Sequence, residues 1–174
     1  MDVPTVLVLA SGRGERFLAS GGQTHKLQAL LGSKTVLAHT LAAVQASGLP
    51  WHLEQANHPG MGDTIAAAVR ATPHARGWLV LPADLPLVRA STLQLVANWA
   101  TQAPVVRPLY QGNVGHPVRF DRACGPDLMA LSGDGGAARL LRTHRVEAVP
   151  VDDPGCVFDI DTPDDLARAA RLQV

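Results

Sequence analysis

Three well-separated stretches of this 174-residue chain carry residue types that could handle phosphate and a divalent cation. The first is Ser11-Gly12-Arg13-Gly14-Glu15-Arg16-Phe17, followed at a distance by Lys26. Glycines in a turn expose backbone N–H groups, and a row of such groups cradles phosphate oxygens. Arg13, Arg16 and Lys26 add fixed positive charge suited to a polyphosphate. A solvated glycine loop would show the same residues. Neither of the two commonest phosphate loops fits. A Walker-type loop ends in Gly-Lys-Ser/Thr, which the chain lacks. A dinucleotide fingerprint wants a third glycine where Phe17 stands and an acid where Lys34 stands.

The second stretch is Leu81-Pro82-Ala83-Asp84-Leu85-Pro86. Mg²⁺ usually takes one or two protein carboxylates plus substrate phosphates. Asp84, fixed between two prolines, either holds such a cation or caps a turn. The third stretch is Asp159-Ile160-Asp161-Thr162-Pro163-Asp164-Asp165. Asp164 and Asp165 read as first-turn helix acids, with Thr162 to Asp165 resembling a capping box. Asp159 and Asp161 lie on one side of an extended segment. Asp161 is the better second metal carboxylate and Asp159 its support; loop hydrogen bonding is the plainer alternative for Asp161. His116, in Gly115-His116-Pro117, is a candidate polar contact on a pocket wall or a structural histidine. Asp134, in Gly133-Asp134-Gly135-Gly136, is expected to cap a helix. The other histidines show no metal-ligand spacing, and Ser11 lacks the surroundings of a nucleophile elbow.

These residues need a scaffold, and the apolar pattern supplies one. The continuous run Thr5 to Ala10 predicts a strand buried on both faces, as in a parallel sheet. A helical face at Val36, Leu37, Leu41 and Val44 follows, closed by Gly48 and Pro50. Trp51 to Ala56 alternates as a short strand, Asn57 to Gly62 is a turn, and Asp63 to Ala71 is helical. Strands are expected at Trp78–Leu81, Val105–Tyr110, Pro117–Phe120 and Glu147–Val151. Ser91 is expected to cap a helix reaching Ala100. Short helices are expected at Pro126–Leu131 and Gly136–Thr143, and a terminal helix opens at Thr162-Pro163. This alternation predicts an α/β fold: a Rossmann-like open, mostly parallel sheet with helices on both faces. Ligands of such sheets sit beyond the carboxyl ends of the strands, where the three stretches would meet.

Composition sets further bounds. At about 150 residues per domain the length predicts one domain over residues 1–174. With 47% hydrophobic and 17% charged residues the chain is not a disordered one. Lys+Arg 15 against Asp+Glu 15 leaves no global field for nucleic acid or an anionic membrane. Aromatics at 4% make a base-stacking platform for single strands unexpected. Two cysteines cannot form a disulfide framework, which fits a reducing, cytoplasmic setting. No basic region precedes the first apolar run, and no run approaches the roughly 20 residues of a membrane span.

The motifs Leu9 to Phe17 with Lys26-Leu27, Pro59 to Gly62, Leu81 to Val88, Gly115 to Val118, Gly133 to Ala137 and Asp159 to Pro163 together resemble the MobA-like nucleotidyltransferases. Within them the chain is most similar to the molybdenum cofactor cytidylyltransferase (MocA) type. The resemblance implies a fold of the nucleotide-diphospho-sugar transferase type that binds a nucleoside triphosphate with Mg²⁺. Such a protein moves a nucleoside monophosphate, here CMP from CTP, onto a phosphate-bearing acceptor of molybdopterin type and releases pyrophosphate. It implies that Ala10, Ser11, Gly12, Arg13, Gly14 and Lys26 hold the nucleotide, with Gly60, Gly62 and Thr64 at the base or ribose. Asp84 and Asp161 would hold the metal, Arg13, Lys26 and Asp84 would serve catalysis, and His116 and Asp159 would face the acceptor. A transient contact with a molybdoenzyme or its chaperone is the partner it suggests.

Three departures stand out. Ala10-Ser11-Gly12 replaces the usual small-residue triplet at a position bearing on base choice, which keeps a GTP-using guanylyltransferase, or a related enzyme with another acceptor, as the alternative. Leu18 to His25 is an insertion before Lys26. The segment around residues 48–59 has room for one short strand only, which predicts a truncated sheet edge that a second copy could cover, and keeps a non-catalytic cofactor-maturation module as a further alternative.

Overall fold

The computed structural model describes residues 3–172. Its elements are β1 (Thr5–Leu9), α1 (Glu15–Ala19), β2 (Leu30–Leu31), β3 (Lys34–Thr35), α2 (Val36–Ser47), β4 (Trp51–Glu54), α3 (Met61–Ala71), β5 (Gly77–Pro82) and α4 (Ala90–Asn98). They continue with β6 (Val105–Tyr110), β7 (Asn113–Val114), β8 (Val118–Asp121), α5 (Gly125–Met129), α6 (Ala138–Thr143), β9 (Val146–Pro150) and α7 (Pro163–Leu172). The main sheet runs β4-β1-β5-β8-β6-β7, with β9 on the other side of β6. Strands β4, β1, β5, β6 and β9 share one direction, while β7 and β8 run against them. The parallel strands thus dominate a mixed sheet.

The apolar run of β1 is buried throughout because both its faces are covered. Val6 and Val8 pack with Val36, Val44, Leu93 and Ala169 of α2, α4 and α7. Leu7 and Leu9 pack with Ile65, Ala68, Leu128 and Leu140 of α3, α5 and α6. Period-two alternation inside a uniformly apolar strand therefore feeds two cores.

Helix ends follow local chemistry in some places and distant chemistry in others. Thr35 Oγ1 accepts the Ala38 N–H (3.1 Å) and starts α2. Thr162 and Asp165 form the expected reciprocal capping box at α7: the Asp165 N–H donates to Thr162 Oγ1 (3.2 Å) and the Thr162 N–H to Asp165 Oδ2 (2.9 Å). Ser91 does not cap α4. The N-cap there is Arg89, and the buried Asp153 carboxylate accepts from the Arg89 N–H (3.0 Å) and the Thr92 hydroxyl (2.6 Å). Asp134 does not cap α6 either; that N-cap is Ala137, without a side-chain hydrogen bond.

The segment after Gly48 contributes β4 alone, which pairs directly with β1 and ends the sheet. Trp51 on this edge is 41% exposed. No helix among the described residues is long and apolar enough to cross a membrane.

Candidate active site

Backbone hydrogen bonds join the three chemistry-bearing stretches at the carboxyl ends of β1 and β5. Past the end of β1, the Ala10 N–H donates to Glu54 O (2.8 Å), while the Ala83 N–H donates to Leu9 O (3.0 Å). The Ile160 N–H in turn donates to Asp84 O (2.9 Å), tying the Asp159–Asp161 segment to the Asp84 loop. The buried Thr40 hydroxyl secures that loop from below by donating to Ala83 O (2.8 Å). The sheet thus fixes where Asp84 and Asp161 stand.

Lys26 lies between them. Its Nζ donates to Asp84 Oδ2 (2.6 Å) and to Asp161 Oδ1 (3.0 Å), and its side chain is only 14% exposed. Burial disfavours the ammonium, but the two carboxylates outweigh it and hold Lys26 above its ordinary range. Arg16 donates to Asp161 Oδ2 (2.7 Å). The insertion Leu18 to His25 therefore does not keep Lys26 from the carboxylates.

Two cavities meet at this ion cluster. One, of about 470 Å³, lies between the Ser11–Gly14 loop and the start of α3, with His58, Thr64 and Asp134 on its walls. The other, of about 650 Å³, is bounded by Asn113, His116, Cys156 and Asp159. Arg16, Lys26, Met61 and Asp161 border both.

In the first cavity the Ser11–Gly14 amides donate to no acceptor among the described residues. They remain available to an anion. Gly14 has φ +66°, the left-handed region that favours glycine. Ser11 and Thr64 hydroxyls meet at 2.6 Å. Thr64 donates to Gly60 O (3.0 Å), so Ser11 donates to Thr64. Arg13 lies on the cavity wall with an exposed side chain near Glu15 (3.8 Å), and Arg16 rather than Arg13 reaches the carboxylates.

Ala10 does not line the cavity; its N–H extends the β1–β4 ladder and places Ser11 at the rim. Gly60 and Gly62 serve a close approach of two chain segments. A Cβ on Gly60 would sit 2.3 Å from Gly133 C, and one on Gly62 2.7 Å from Ser132 O. The Gly62 N–H donates to Gly133 O (2.7 Å) and Asp63 Oδ2 accepts from the Gly133 N–H (2.8 Å). Gly60 also lines the cavity, whereas Gly62 is buried beneath the 132–134 loop.

In the second cavity, burial and the nearby Arg107 charge push His116 down to about 4, so it is neutral at physiological pH. Its backbone N–H donates to Cys156 O (2.8 Å), and its Nδ1 is buried without a partner among the described residues. Partial desolvation, with the Asp84 and Asp161 charges adding to it, raises Asp159, although the residue is exposed on one side. Burial pushes the Cys156 thiol up to about 11, so it stays protonated.

The sequence reading did not single out Glu54 and His58. The Glu54 carboxylate is buried at the end of β4 and bonded to His58 (3.1 Å), the Ala56 N–H (3.1 Å) and His52 (3.3 Å). Burial opposes its charge, but these partners hold it below the usual carboxylate range. The clue was an acid placed to end a strand, masked by its place in the shortened segment.

The carboxylates suit a hard divalent ion. One oxygen each from Asp84, Asp159 and Asp161 lie within 4.8 Å of one another, and Asp84 Oδ1 is buried with no hydrogen-bond partner among the described residues. An all-oxygen set of this kind matches Mg²⁺ or Mn²⁺. The Lys26 ammonium is the positive charge now among them.

Residues 41–149, more than half of the chain, match the model of the MobA-like NTP transferase domain. The chain belongs to this family. Its relatives include the purine catabolism protein PucB of Bacillus subtilis, 32% identical over 125 residues. That match covers 69% of this chain but only 60% of PucB. Rv0371c of Mycobacterium tuberculosis superposes with a TM-score of 0.80 at 26% identity, over 96% of both chains. A structure of Rv0371c in complex with manganese superposes with a TM-score of 0.77 at 25% identity, over 96% of this chain and 97% of that one. The family is one of nucleotidyltransferases, and the α/β fold expected from the strand pattern is the one observed.

Proposed function

We propose that this chain, acting as one domain in the cytoplasm, transfers CMP from CTP onto the phosphate of a molybdopterin-type acceptor and releases pyrophosphate. The observation that carries this reading is the meeting of two cavities at Lys26 and Asp161. One is rimmed by free amides suited to a triphosphate and the other by His116 and Asp159. A donor and an acceptor seated in them would approach each other beside the carboxylates.

In this reading the amides of Ser11 to Gly14, with Arg13, hold the donor phosphates. Lys26 and Arg16 neutralise charge where the two substrates meet, and Ser11, Gly60 and Thr64 face the ribose or base. Gly62 supports Gly60 from beneath the 132–134 loop. Asp84 and Asp161, supported by Asp159, would hold Mg²⁺, which when bound neutralises charge on the donor phosphates. The manganese complex of Rv0371c supports a divalent ion as the cofactor. An acceptor phosphate oxygen attacks the α-phosphorus while the bond to the bridging oxygen of pyrophosphate breaks. A phosphate monoester loses its second proton at about pH 6, so no general base is needed. His116, neutral and buried, suits acceptor binding rather than proton transfer. Positioning and charge neutralisation supply the rate.

The resemblance of the motifs to the cytidylyltransferase type is what favours CTP, with GTP as the alternative. A pyrophosphate-release assay over the four nucleoside triphosphates, with and without a molybdopterin acceptor, tests the reading. Release that needs both CTP and the acceptor supports it; release with GTP alone moves the donor to guanine, and no release under any condition overturns catalysis. The exposed edge of β4, with Trp51, is the surface we assign to a second copy, and a monomer in gel filtration removes that assignment.

A further inference from the structure

His25 lies outside both cavities, yet it is wired to the amide loop. Its Nδ1 accepts the Leu27 N–H (3.2 Å), which caps the single 3₁₀ turn carrying Lys26. A neutral imidazole with Nδ1 accepting carries its proton on Nε2. That Nε2–H donates to Gly12 O at 2.7 Å. The ring also packs under Gly14, where a Cβ would sit 3.3 Å from His25 Cδ2.

This contact fixes the direction of one peptide unit. The Gly12–Arg13 bond is trans, so the Arg13 N–H points away from the Gly12 carbonyl and hence away from His25. Gly12 and Arg13 line the nucleotide cavity and His25 does not, which is the arrangement expected if the ring backs the loop and the amide faces the cavity. A hydrogen bond to the carbonyl also polarises the peptide and makes its N–H a better donor. The same ring supports the turn from which Lys26 reaches Asp84, so one side chain sets both the amide cradle and the lysine.

We propose that His25 is a positioning residue for donor binding: it aims the Arg13 amide at the phosphates of the nucleoside triphosphate. The inference rests on the nucleotidyltransferase reading above. It separates two halves of the imidazole that substitution can imitate one at a time. In His25→Asn the side-chain oxygen stands near the place of Nδ1 and preserves the cap on Leu27. In His25→Gln the terminal amide reaches about as far as Nε2 and preserves the donor to Gly12.

The test measures binding of CTP with Mg²⁺ and of pyrophosphate alone, together with KM, kcat and thermal melting, on the full chain and on His25→Ala, His25→Asn and His25→Gln. Losing one positioned donor predicts about a tenfold weaker binding and higher KM for His25→Ala and His25→Asn. The His25→Asn variant is expected to melt like the wild type. His25→Gln is expected to bind within about threefold of the wild type, and kcat is expected to change less than KM in all three. Rescue by Asn but not by Gln shows that the ring serves only the cap and overturns the proposal. Equal binding by all variants overturns it as well. Wild-type protein that binds neither CTP nor pyrophosphate overturns this inference together with the function it rests on.

Discussion

Replacing Lys26 by methionine removes the positive charge lying between the site carboxylates and leaves a side chain of similar length. The ammonium makes contacts of 2.6 Å to Asp84 and 3.0 Å to Asp161. Without it, three carboxylate oxygens within 4.8 Å of one another keep, among the described residues, Arg16 as their paired counter-charge. At that separation two unit charges repel by about 3.5 kcal/mol at an effective dielectric constant of ~20. Arg16, salt and the exposure of Asp159 reduce this, so the variant is expected to lose about 2–3 kcal/mol, somewhat below the range for breaking a fully buried pair. For a chain of this size that is roughly 4–12 °C in Tm. Melting is followed in EDTA and again in millimolar MgCl₂ at mildly alkaline pH, where Asp159 cannot relieve the repulsion by taking a proton. Magnesium at about 100 times its Kd restores about 2.7 kcal/mol to Lys26→Met. The wild type, already neutralised by its own lysine, is expected to respond weakly to the ion alone. A variant as stable as the wild type in EDTA, or indifferent to magnesium, refutes the view that these carboxylates form a site held together by positive charge.

Asp84→Asn is expected to lower pyrophosphate release by a factor on the order of 10³, with little loss from His116→Gln, because charge neutralisation outweighs a neutral contact here; initial rates at saturating CTP compare the two, and a larger loss at His116 counts against the assignment. His116 is depressed to about 4 in the fold. The unfolded chain therefore binds the extra proton first as pH falls through about 6.5, and stability drops between that pH and about 4. From about pH 7 to pH 5, urea unfolding should show the wild type losing about 2 kcal/mol more than His116→Gln, and parallel losses would show that the ring titrates normally. Gly62→Ala drives a Cβ to within 2.7 Å of Ser132 O. It is expected to cost about 1–3 kcal/mol and raise KM for CTP, checked by denaturation and initial rates, since the 132–134 loop must move; unchanged stability would mean that the loop yields freely.

What the sequence made legible was short-range. The uninterrupted run at Thr5–Leu9 announced a strand with two covered faces, and Thr162 with Asp165 announced a capping box, because each signal is complete within a few residues. The cap of α4 was hidden because Asp153 supplies it from 64 residues away. Ser91, a good cap by type, stands inside the helix. Asp134 looked like a cap by the same local logic, but the Gly133 backbone is held by Asp63 and Gly62, and Asp134 faces the cavity. The antiparallel β8 between β5 and β6 left no mark in composition, since strand direction is set by connections. In the site, Asp84 could be named from residue type and its flanking prolines, and Asp161 from its place just before a helix cap. Their shared contact with Lys26 could not, because it depends on how the Leu18 to His25 insertion folds back. The packing of Gly60 and Gly62 against the 132–134 loop was equally hidden, because that contact joins segments some 70 residues apart.

The central claim is that the amide loop after β1 and the carboxylates at Asp84 and Asp161 face one metal–triphosphate unit. Calorimetric titration of CTP in EDTA and in millimolar MgCl₂ tests it most directly, because a metal shared between carboxylates and triphosphate couples the two binding events. The account predicts that magnesium tightens CTP binding to the wild-type protein and that this tightening is lost in the Asp84→Asn, Asp161→Asn double variant while CTP itself still binds. Tightening by magnesium that persists undiminished in the double variant would contradict it.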